Sequence, residues 1–571
     1  MKGNPWILLA LVLLLCAPPM LINVGKPDPV RIMEVLSFMT SQETWLRIHH
    51  GESDAWKMPS WNGQPRIQKP PMLVWMNLLA WHDLDPDTAS VERLTLRARV
   101  LSVGFALLAV AATFWIGRTL GGTRLGMLAA LVTGSGMAFI RQARIASYDT
   151  HLMGWATLAV ASGLWAMKGE SRSRIVAGWL LSTLALAAAS YTKGPLAFAL
   201  VLAPLAAALV AFPDRRARNA AGVAVCAVAA VALMTPWFIA AAGTAPDAVR
   251  ALDREYRFIL EAFHNPFFYF SVVAVVFPWS LWLAASLIRV VVDRALRADR
   301  NTWFAWLGFV IVFAMFTLSP VKNKRYIVPI LPLAGLLVAL VWARLEEGDR
   351  DGVAARWVLW LRRIHWTLLA LCTLALPLFI VFQRQFIRAG WLEAPVVVGL
   401  NVAMAAALFV ALACTAMAGA RAHAQKRWGS AALYTALWMW VASTFGFAGY
   451  AVADHQKFPC RSEAECMAAL TGRTNLFFIS DFKYPQHQAR PGDEFLIFYR
   501  GIVPRTDLPA LKARAGEEHP TFVMTRTDAA HEEEIQKLGF RFMFEVSDGR
   551  PPNWKLFGHR REPPAPERPE P

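Results

Sequence analysis

Cysteine is scarce in this chain, and the few present form no recognisable ligand set. There are six in 571 residues. Cys16, Cys226, Cys372 and Cys414 lie inside apolar runs, where a thiol behaves as a small hydrophobe. Cys460 and Cys466 fall in the polar C-terminal region, close enough for a disulfide if that region is extracytoplasmic. Neither spacing is that of a zinc or haem motif. A glycine-rich phosphate loop is missing too, as are a Ser-His-Asp signature and an internal repeat of solenoid length. Charge is thin: only 17% of residues are Asp, Glu, Lys or Arg, whereas soluble domains carry about a quarter.

Hydrocarbon takes the place of charge. The chain is 56% hydrophobic with a mean hydropathy of +0.37. Runs of around 18 or more apolar residues recur, each long enough for a bilayer core of roughly 30 Å. The sequence therefore predicts a mainly α-helical, polytopic membrane protein. About thirteen spans are expected, centred near residues 14, 106, 131, 158, 183, 203, 231, 278, 310, 335, 373, 406 and 441. The first, near Pro5 to Val24, follows Lys2 but ends in PPMLINVG without a small-residue cleavage site, so it reads as an uncleaved anchor.

The net charge of +17 does not mark a nucleic-acid partner, because the cations sit in short loops between spans. Alternate loops carry Arg118 and Arg124, Lys168 to Arg174, Arg215 to Arg218, Arg289 to Arg300, Arg344 to Arg363, and Arg421 to Arg427. The positive-inside rule places that set and the N-terminus in the cytoplasm. An odd number of spans then puts the C-terminal region outside, together with the long loop from Gly25 to Asn77.

That loop is too polar to cross a bilayer. Asp28-Pro29 is a helix start, with Asp as N-cap and Pro at the first helical position. RIMEVLSFM then reads as an interfacial helix, a second helix is expected after Lys69-Pro70-Pro71, and Trp56, Trp61, Trp75 and Trp81 suit the headgroup zone. The other external segments are 141–149, 190–195, 243–266 and 319–326, and several carry cations against the topology bias. Cations there point to an anionic ligand at the outer face, or to lipid-phosphate contact. Lys69, Lys193, Arg257, Lys322, Lys324, Arg325 and Tyr326 are the anion-binding candidates. Asp28 reads either as a helix cap or as a general base, Asp149 presents the same choice, and Glu34 is a weaker acid on the Asp28 helix. His49, His50, Glu52 and Asp54, and likewise His82, Asp83, Asp85 and Asp87, read as exposed loop polarity rather than metal ligands.

Beyond about Asp454 the pattern changes. NLFFIS, EFLIFYR, TFVMT and FRFMFEV read as strands, with helices in DLPALKARAGEE and DAAHEEEIQKLG. A small extracytoplasmic α/β domain over residues 453–560 is expected, with 561–571 a disordered end, after a membrane domain of 1–452 whose first external loop is 25–93.

Seven motifs occur in order: DPVRIMEV, WNGQPRIQKPP, RIASYD, YTKGP, EYRFILEAFHNPFFYF, FPWSLW and SPVKNKRYIVPILPLAGLL. Together they resemble the polyprenyl-phosphate-dependent glycosyltransferases of the GT-C superfamily. That group includes the aminoarabinose transferases that modify lipid A and the protein O-mannosyltransferase-like (glycosyltransferase 39-type) bacterial enzymes. The resemblance covers the membrane region to about residue 345; the later spans and the α/β region agree in layout only. It implies that Asp28 and Arg31 match the ends of a D-E-x-R-like motif whose first acid is the proposed catalytic residue. Glu34 and Asp149 match two further acids. Lys69, Lys193, Arg257 and Tyr326 look like donor-phosphate ligands, and His264 sits in an H-x-P stretch.

The motif's second acid is Pro29 here, and Gln68 replaces the acid before Lys69. Some relatives use such acids to hold a divalent metal, so no firm cofactor is implied and metal dependence is left open. The implied reaction moves a sugar from a polyprenyl-phosphate (undecaprenyl-phosphate) donor to an acceptor in the envelope of a bacterial inner membrane. The acceptor is lipid A, another envelope glycan or a protein, the first outcome being lipid A modification and the last protein glycosylation. The competing class is a transporter or flippase of an anionic polyprenyl lipid, which paired, similarly patterned halves would favour; the sequence shows none.

Overall fold

The computed structural model describes residues 4–26, 29, 32–66, 69–85, 88–244, 266–319, 322–350, 356–389, 402–449 and 461–473. In the C-terminal region it describes 475–479, 496, 498–500, 503–504, 506–514, 522–525, 529–546 and 554–559. The helices in chain order begin with α1 (Pro5–Leu21), α2 (Ile32–His49), α3 (Met72–Trp81), α4 (Val91–Gly134) and α5 (Met137–Ala143). There follow α6 (Tyr148–Met167), α7 (Arg172–Lys193), α8 (Leu196–Ala211), α9 (Arg216–Thr244) and α10 (Val272–Val275). Next are α11 (Ser280–Val292), α12 (Arg294–Ala298), α13 (Arg300–Leu318), α14 (Leu331–Arg350), α15 (Arg356–Arg388), α16 (Val402–Ala424) and α17 (Trp428–Gly449). The C-terminal region adds α18 (Arg461–Thr471), α19 (Leu508–Arg514) and α20 (Ala529–Lys537). The chain divides into two compact units: residues 1–24, 68–73 and 98–453 form one, and 25–67, 74–97 and 454–571 the other.

The first unit is helical. Eight of its helical stretches among the described residues are long and apolar enough to cross a membrane: α4, α7, α9, α13, Lys324–Glu347, α15, α16 and α17. Shorter apolar helices, α1, α8 and α11 among them, accompany these. Twelve of the thirteen expected centres fall in helices. Those near 106 and 131 share α4, which is broken at Gly121–Gly122, where the backbone leaves helical geometry. The thirteenth, near 278, falls at Pro278 between α10 and α11, where a proline cannot supply the N–H that a continuous helix needs. Outward side chains such as Val225, Val228 and Ile239 of α9 are about two-thirds exposed, as on a helix facing lipid. By contrast nearly every residue of α6 is buried, which makes it the helix the others surround.

The second unit contains α2, the loop after it and a four-stranded sheet. β1 (Ser60–Trp61) and β2 (Gln64–Pro65) pair antiparallel around Asn62-Gly63. Both turn residues have positive φ, +49° and +74°, the two-residue geometry that Asn-Gly adopts with least strain. Glu43 of α2 holds this turn by accepting hydrogen bonds from Ser60 Oγ and, at 3.0 Å, from the Gly63 N–H. Trp81 is fully buried beside Phe38 and Trp45 and donates its indole N–H to Leu94 O at 3.0 Å. It is a core residue of this unit, not the headgroup anchor that its aromatic character suggested.

The sheet orders β3 (Leu476–Ile479), β4 (Phe522–Thr525), β6 (Trp554–His559) and β5 (Phe540–Val546). β3 and β4 run parallel, and the other pairings are antiparallel. Three of the expected strands are present. EFLIFYR is not one of them: Leu496, Phe498 and Tyr499 are helical, and the Arg500 N–H bonds to Leu496 O at 2.9 Å. A short aromatic run has no period that separates strand from buried helix, and here packing chose the helix. Helix α18 and strand β6 had no counterpart in the sequence reading. Cys466 lies on α18 with a free thiol, while Cys460 and residues 560–571 lie outside the described residues.

Burial raises the Glu43 carboxyl above its ordinary range, against the opposing effect of its bonds to Ser60, Gly63 and Asn62 and the charge of Arg47. A raised carboxyl stabilises the fold fully below its unfolded value, and that contribution is lost as pH rises through the folded value. Glu43→Gln keeps an oxygen that can accept both bonds and removes the titration. The melting temperature of the variant relative to wild type should therefore climb as pH rises from about 4 to about 7. Fluorimetric melts of the reconstituted protein check this; a difference that does not change with pH would refute it.

Candidate active site

The structure builds its main polar cluster in the helical unit from three segments that are distant in sequence. Asp149 is the second residue of α6, beside the helix's positive end, where a carboxylate is favoured. The loop ahead of it is fixed: Gln142 donates to Ser147 Oγ at 2.7 Å and Thr150 Oγ1 donates to Gln142 O at 3.0 Å. Lys193 closes α7 at the opposite, negative end of a helix, where a cation is favoured. Gly194 follows with φ +63°, a left-handed turn that glycine takes without a Cβ penalty, and Pro195 then leads into α8. Because α7 returns along α6, the end of one lies beside the start of the other. Lys193 accordingly donates to Asp149 Oδ1, with both side chains almost wholly buried.

The third segment is the 3-10 helix Lys324–Ile330, which Asn323 caps by accepting the Arg325 N–H at 3.2 Å. It places Arg325 Nε 3.7 Å from Asp149 Oδ2. Tyr326 lies with its ring centroid 4.3 Å from Lys193 Nζ, a cation–π contact. Tyr269, which the sequence reading did not single out, ties this turn down. Its hydroxyl donates to Asn323 O at 3.2 Å and accepts the Asn323 N–H at 3.1 Å. The available signal was its place in the FHNPFFYF run, but aromatics are so common in spans that one tyrosine carries little weight.

Thus Asp149, Lys193, Arg325 and Tyr326 come together as one cluster. Lys322 lies apart from Asp149 in its contacts. Its ammonium donates to Thr317 O and Ser319 O, each at 2.6 Å, and so closes the C-terminal carbonyls of α13. Lys324 is exposed, and Lys69 is half-buried shortly before α3. Glu34 is buried in the first turn of α2, in the other unit. Asp28, Arg31, Arg257 and His264 lie outside the described residues, as does most of the 243–266 segment. Arg144, at the head of RIASYD, donates to Pro19 O and Met20 O at 3.0 and 3.1 Å, which anchors the loop before α6 to the end of α1. In the two loop clusters of His and carboxylates, Glu52 pairs with Arg47, Asp54 with Lys57, and Asp83 with Arg97. No group of three or more His, Cys, Asp or Glu able to hold a metal stands among the described residues.

Chemically, one buried carboxylate holds two cations from different helices. The surplus positive charge lies at the end of α6, with an aromatic ring against it. Such a group is suited to an anion with several oxygens: ammonium and guanidinium retain N–H donors, and Asp149 fixes their positions beforehand.

The fold has counterparts among known proteins. The family model for dolichyl-phosphate-mannose-protein mannosyltransferase (PMT) matches residues 81–248. ArnT from Cupriavidus metallidurans, in a crystal structure bound to undecaprenyl phosphate, superposes with a TM-score of 0.65 over 97% of both chains at 15% identity. The apo oligosaccharyltransferase of Archaeoglobus fulgidus gives 0.50 over 88% of this chain and 64% of its own, at 14% identity.

In sequence, the chain is 29% identical over 325 residues to an undecaprenyl phosphate-alpha-4-amino-4-deoxy-L-arabinose arabinosyl transferase of Sodalis glossinidius, 55% of this chain and 54% of that protein. It is 27% identical over 358 residues to one from Pseudomonas fluorescens, 60% of this chain and 58% of that one. The chain therefore spans little more than half the length of these curated relatives. It is similar to the PMT family model over residues 81–248, to these arabinosyl transferases in sequence, and to ArnT in fold.

Breaking a buried pair leaves a charge uncompensated, at a cost of about 3–5 kcal/mol. Asp149→Asn and Lys193→Met should each lower the melting temperature, and the double variant should lose clearly less than the sum. A coupling of about 1–3 kcal/mol is expected. Additive losses would show that the two side chains do not hold each other.

Proposed function

We propose that this protein is an integral-membrane glycosyltransferase. It moves a sugar from a polyprenyl-phosphate donor to an envelope acceptor at the extracytoplasmic face of a bacterial inner membrane. The observation that carries this reading is the pair of cations, Lys193 and Arg325, fixed on buried Asp149 at the end of α6. A donor of this class leaves as a polyprenyl phosphate, and charge grows on that phosphate as the glycosidic bond breaks. Preorganised donors aimed at growing charge are usually the largest catalytic contribution. In this reading Lys193, Arg325 and Tyr326 form the phosphate site, with Lys69, Lys324 and Arg257 as further contributors and Arg31 and His264 in support.

Asp149 keeps the cations in place. Asp28, just ahead of α2, is the base that deprotonates or orients the acceptor hydroxyl or phosphate, with Glu34 the weaker alternative. The acceptor attacks the anomeric carbon from the face opposite the phosphate, and the configuration inverts. Residues 1–452 then form the membrane transferase domain, with about thirteen spans and a cytoplasmic N-terminus. Residues 453–560 are a periplasmic α/β domain. The acceptor is lipid A, another glycan or a protein, and the similarity to ArnT favours the first.

Purified protein in nanodiscs, supplied with polyprenyl-phosphate sugars and an envelope extract, tests the proposal. Mass spectrometry should show free polyprenyl phosphate released together with a sugar-bearing product. Lys193→Met should slow release about a hundredfold, and Asp28→Asn by at least about a hundredfold. Donor binding without turnover across a broad acceptor panel would overturn the reading in favour of a lipid transporter.

A further inference from the structure

The two cations at Asp149 are not held alike. Lys193 donates a hydrogen bond to Oδ1, whereas Arg325 Nε stands 3.7 Å from Oδ2, an ion pair longer than a hydrogen bond. Attraction without a hydrogen bond holds the charge but not its direction. The Arg325 side chain is also 21% exposed, so burial does not immobilise it. The direction of its guanidinium is therefore set mainly by the backbone that carries it.

That backbone is governed at Asn323. Asn323 is extended, with φ −142° and ψ 136°. An extended residue turns its N–H and C=O to the same side, as in a strand pair that exchanges both bonds. Here one hydroxyl takes the place of the partner strand. The Tyr269 O–H donates to Asn323 O at 3.2 Å and accepts the Asn323 N–H at 3.1 Å, which needs a group that both donates and accepts. Asn323 passes the constraint on: its carbonyl accepts the Tyr326 N–H at 2.9 Å, and its side chain accepts the Arg325 N–H at 3.2 Å. Tyr269 cannot swing away. It is 1% exposed, meets Phe316 of α13 edge-on with ring centroids 6.1 Å apart, and has the Lys322 ammonium 5.6 Å from its own centroid. Lys322 in turn is tied to the last carbonyls of α13.

We propose that Tyr269 is a positioning residue for the phosphate site. Its hydroxyl fixes the Asn323 backbone, and through it the place where Arg325 meets a phosphate oxygen; Tyr269 is itself buried and acts only through that turn. Tyr269→Phe keeps the ring, yet it leaves the Asn323 N–H without its acceptor and frees the turn to shift. A displacement of about 1 Å at a group that must meet growing charge costs up to about a hundredfold in rate. That the phosphate is the leaving group of a sugar transfer rests on the transferase reading; the effect of Tyr269 on Arg325 does not.

The test titrates undecaprenyl phosphate into the full chain in nanodiscs by calorimetry and follows donor turnover in the same preparations. Wild type, Tyr269→Phe, Arg325→Met and the double variant are compared. Tyr269→Phe should weaken binding and slow turnover by about tenfold each. In the Arg325→Met background the same change should alter either by less than about twofold, because the residue it acts through is gone. A hydroxyl that served stability alone would cost the same factor in both backgrounds. That result would overturn the proposal, as would wild-type binding and turnover in Tyr269→Phe. If Tyr269→Phe does not fold, Asn323→Ala, which removes the cap on Arg325 and keeps the backbone bonds, must show the same dependence on Arg325. Failure of wild type to bind undecaprenyl phosphate overturns the phosphate site and this proposal with it. Turnover in wild type with no effect of Tyr269→Phe removes this inference alone. The expected binding pattern without turnover keeps it and removes the transferase reading.

Discussion

The cation cluster of the helical unit is held by one buried carboxylate. Asp149 is almost wholly enclosed, yet it carries a lysine from the end of α7 and an arginine from the turn before α14. Three ionised groups in a hydrocarbon bundle would be strongly unfavourable apart, because the desolvation of each costs several kcal/mol. Together they offset one another, and the helix ends that bear Asp149 and Lys193 add a favourable field to each. The rest of the local structure serves this arrangement. Gly194 turns the chain directly after Lys193, Asn323 caps the turn that carries Arg325, and Tyr269 fastens that turn from a neighbouring segment.

Much of this was legible in the sequence, for a physical reason. In a membrane protein, charge is excluded from span centres, so the residues able to do chemistry collect where helices stop. Reading RIASYD, YTKGP and SPVKNKRY as loops therefore singles out Asp149, Lys193, Arg325 and Tyr326, which the fold brings together. That reading could not say which cation faced which acid. Lys322 and Arg325 stand three residues apart in one motif, yet one closes the end of α13 and the other reaches Asp149. Loop sequence gives the supply of donors, and only the path of the backbone assigns their acceptors.

The span pattern was legible for the same reason, and its departures are local. Two expected spans share α4 because only a Gly-Gly break separates them, and the centre near 278 falls on a proline between short helices. The C-terminal region was harder. Its apolar runs are four to seven residues long, too short to display a period, so EFLIFYR passed as a strand although Leu496, Phe498 and Tyr499 are helical, and β6 went unnoticed. Trp81 shows the matching error for side chains. Tryptophan serves equally well at a headgroup boundary and in a core, and its partners Phe38 and Trp45 lie far enough along the chain that composition cannot choose.

Two polar features among the described residues follow different physical rules. At Asp149 both cations are already engaged by the carboxylate, so under the proposed reading a phosphate would share donors that are in use. Sharing favours a ligand whose negative charge increases during reaction, since a weak initial hold strengthens as the leaving group forms. At a cavity beside α2 the amide nitrogen of Gln42 has no acceptor among the described residues, and a helix start lies on the same wall. Open donors favour a ligand that binds in its ground state and does not change.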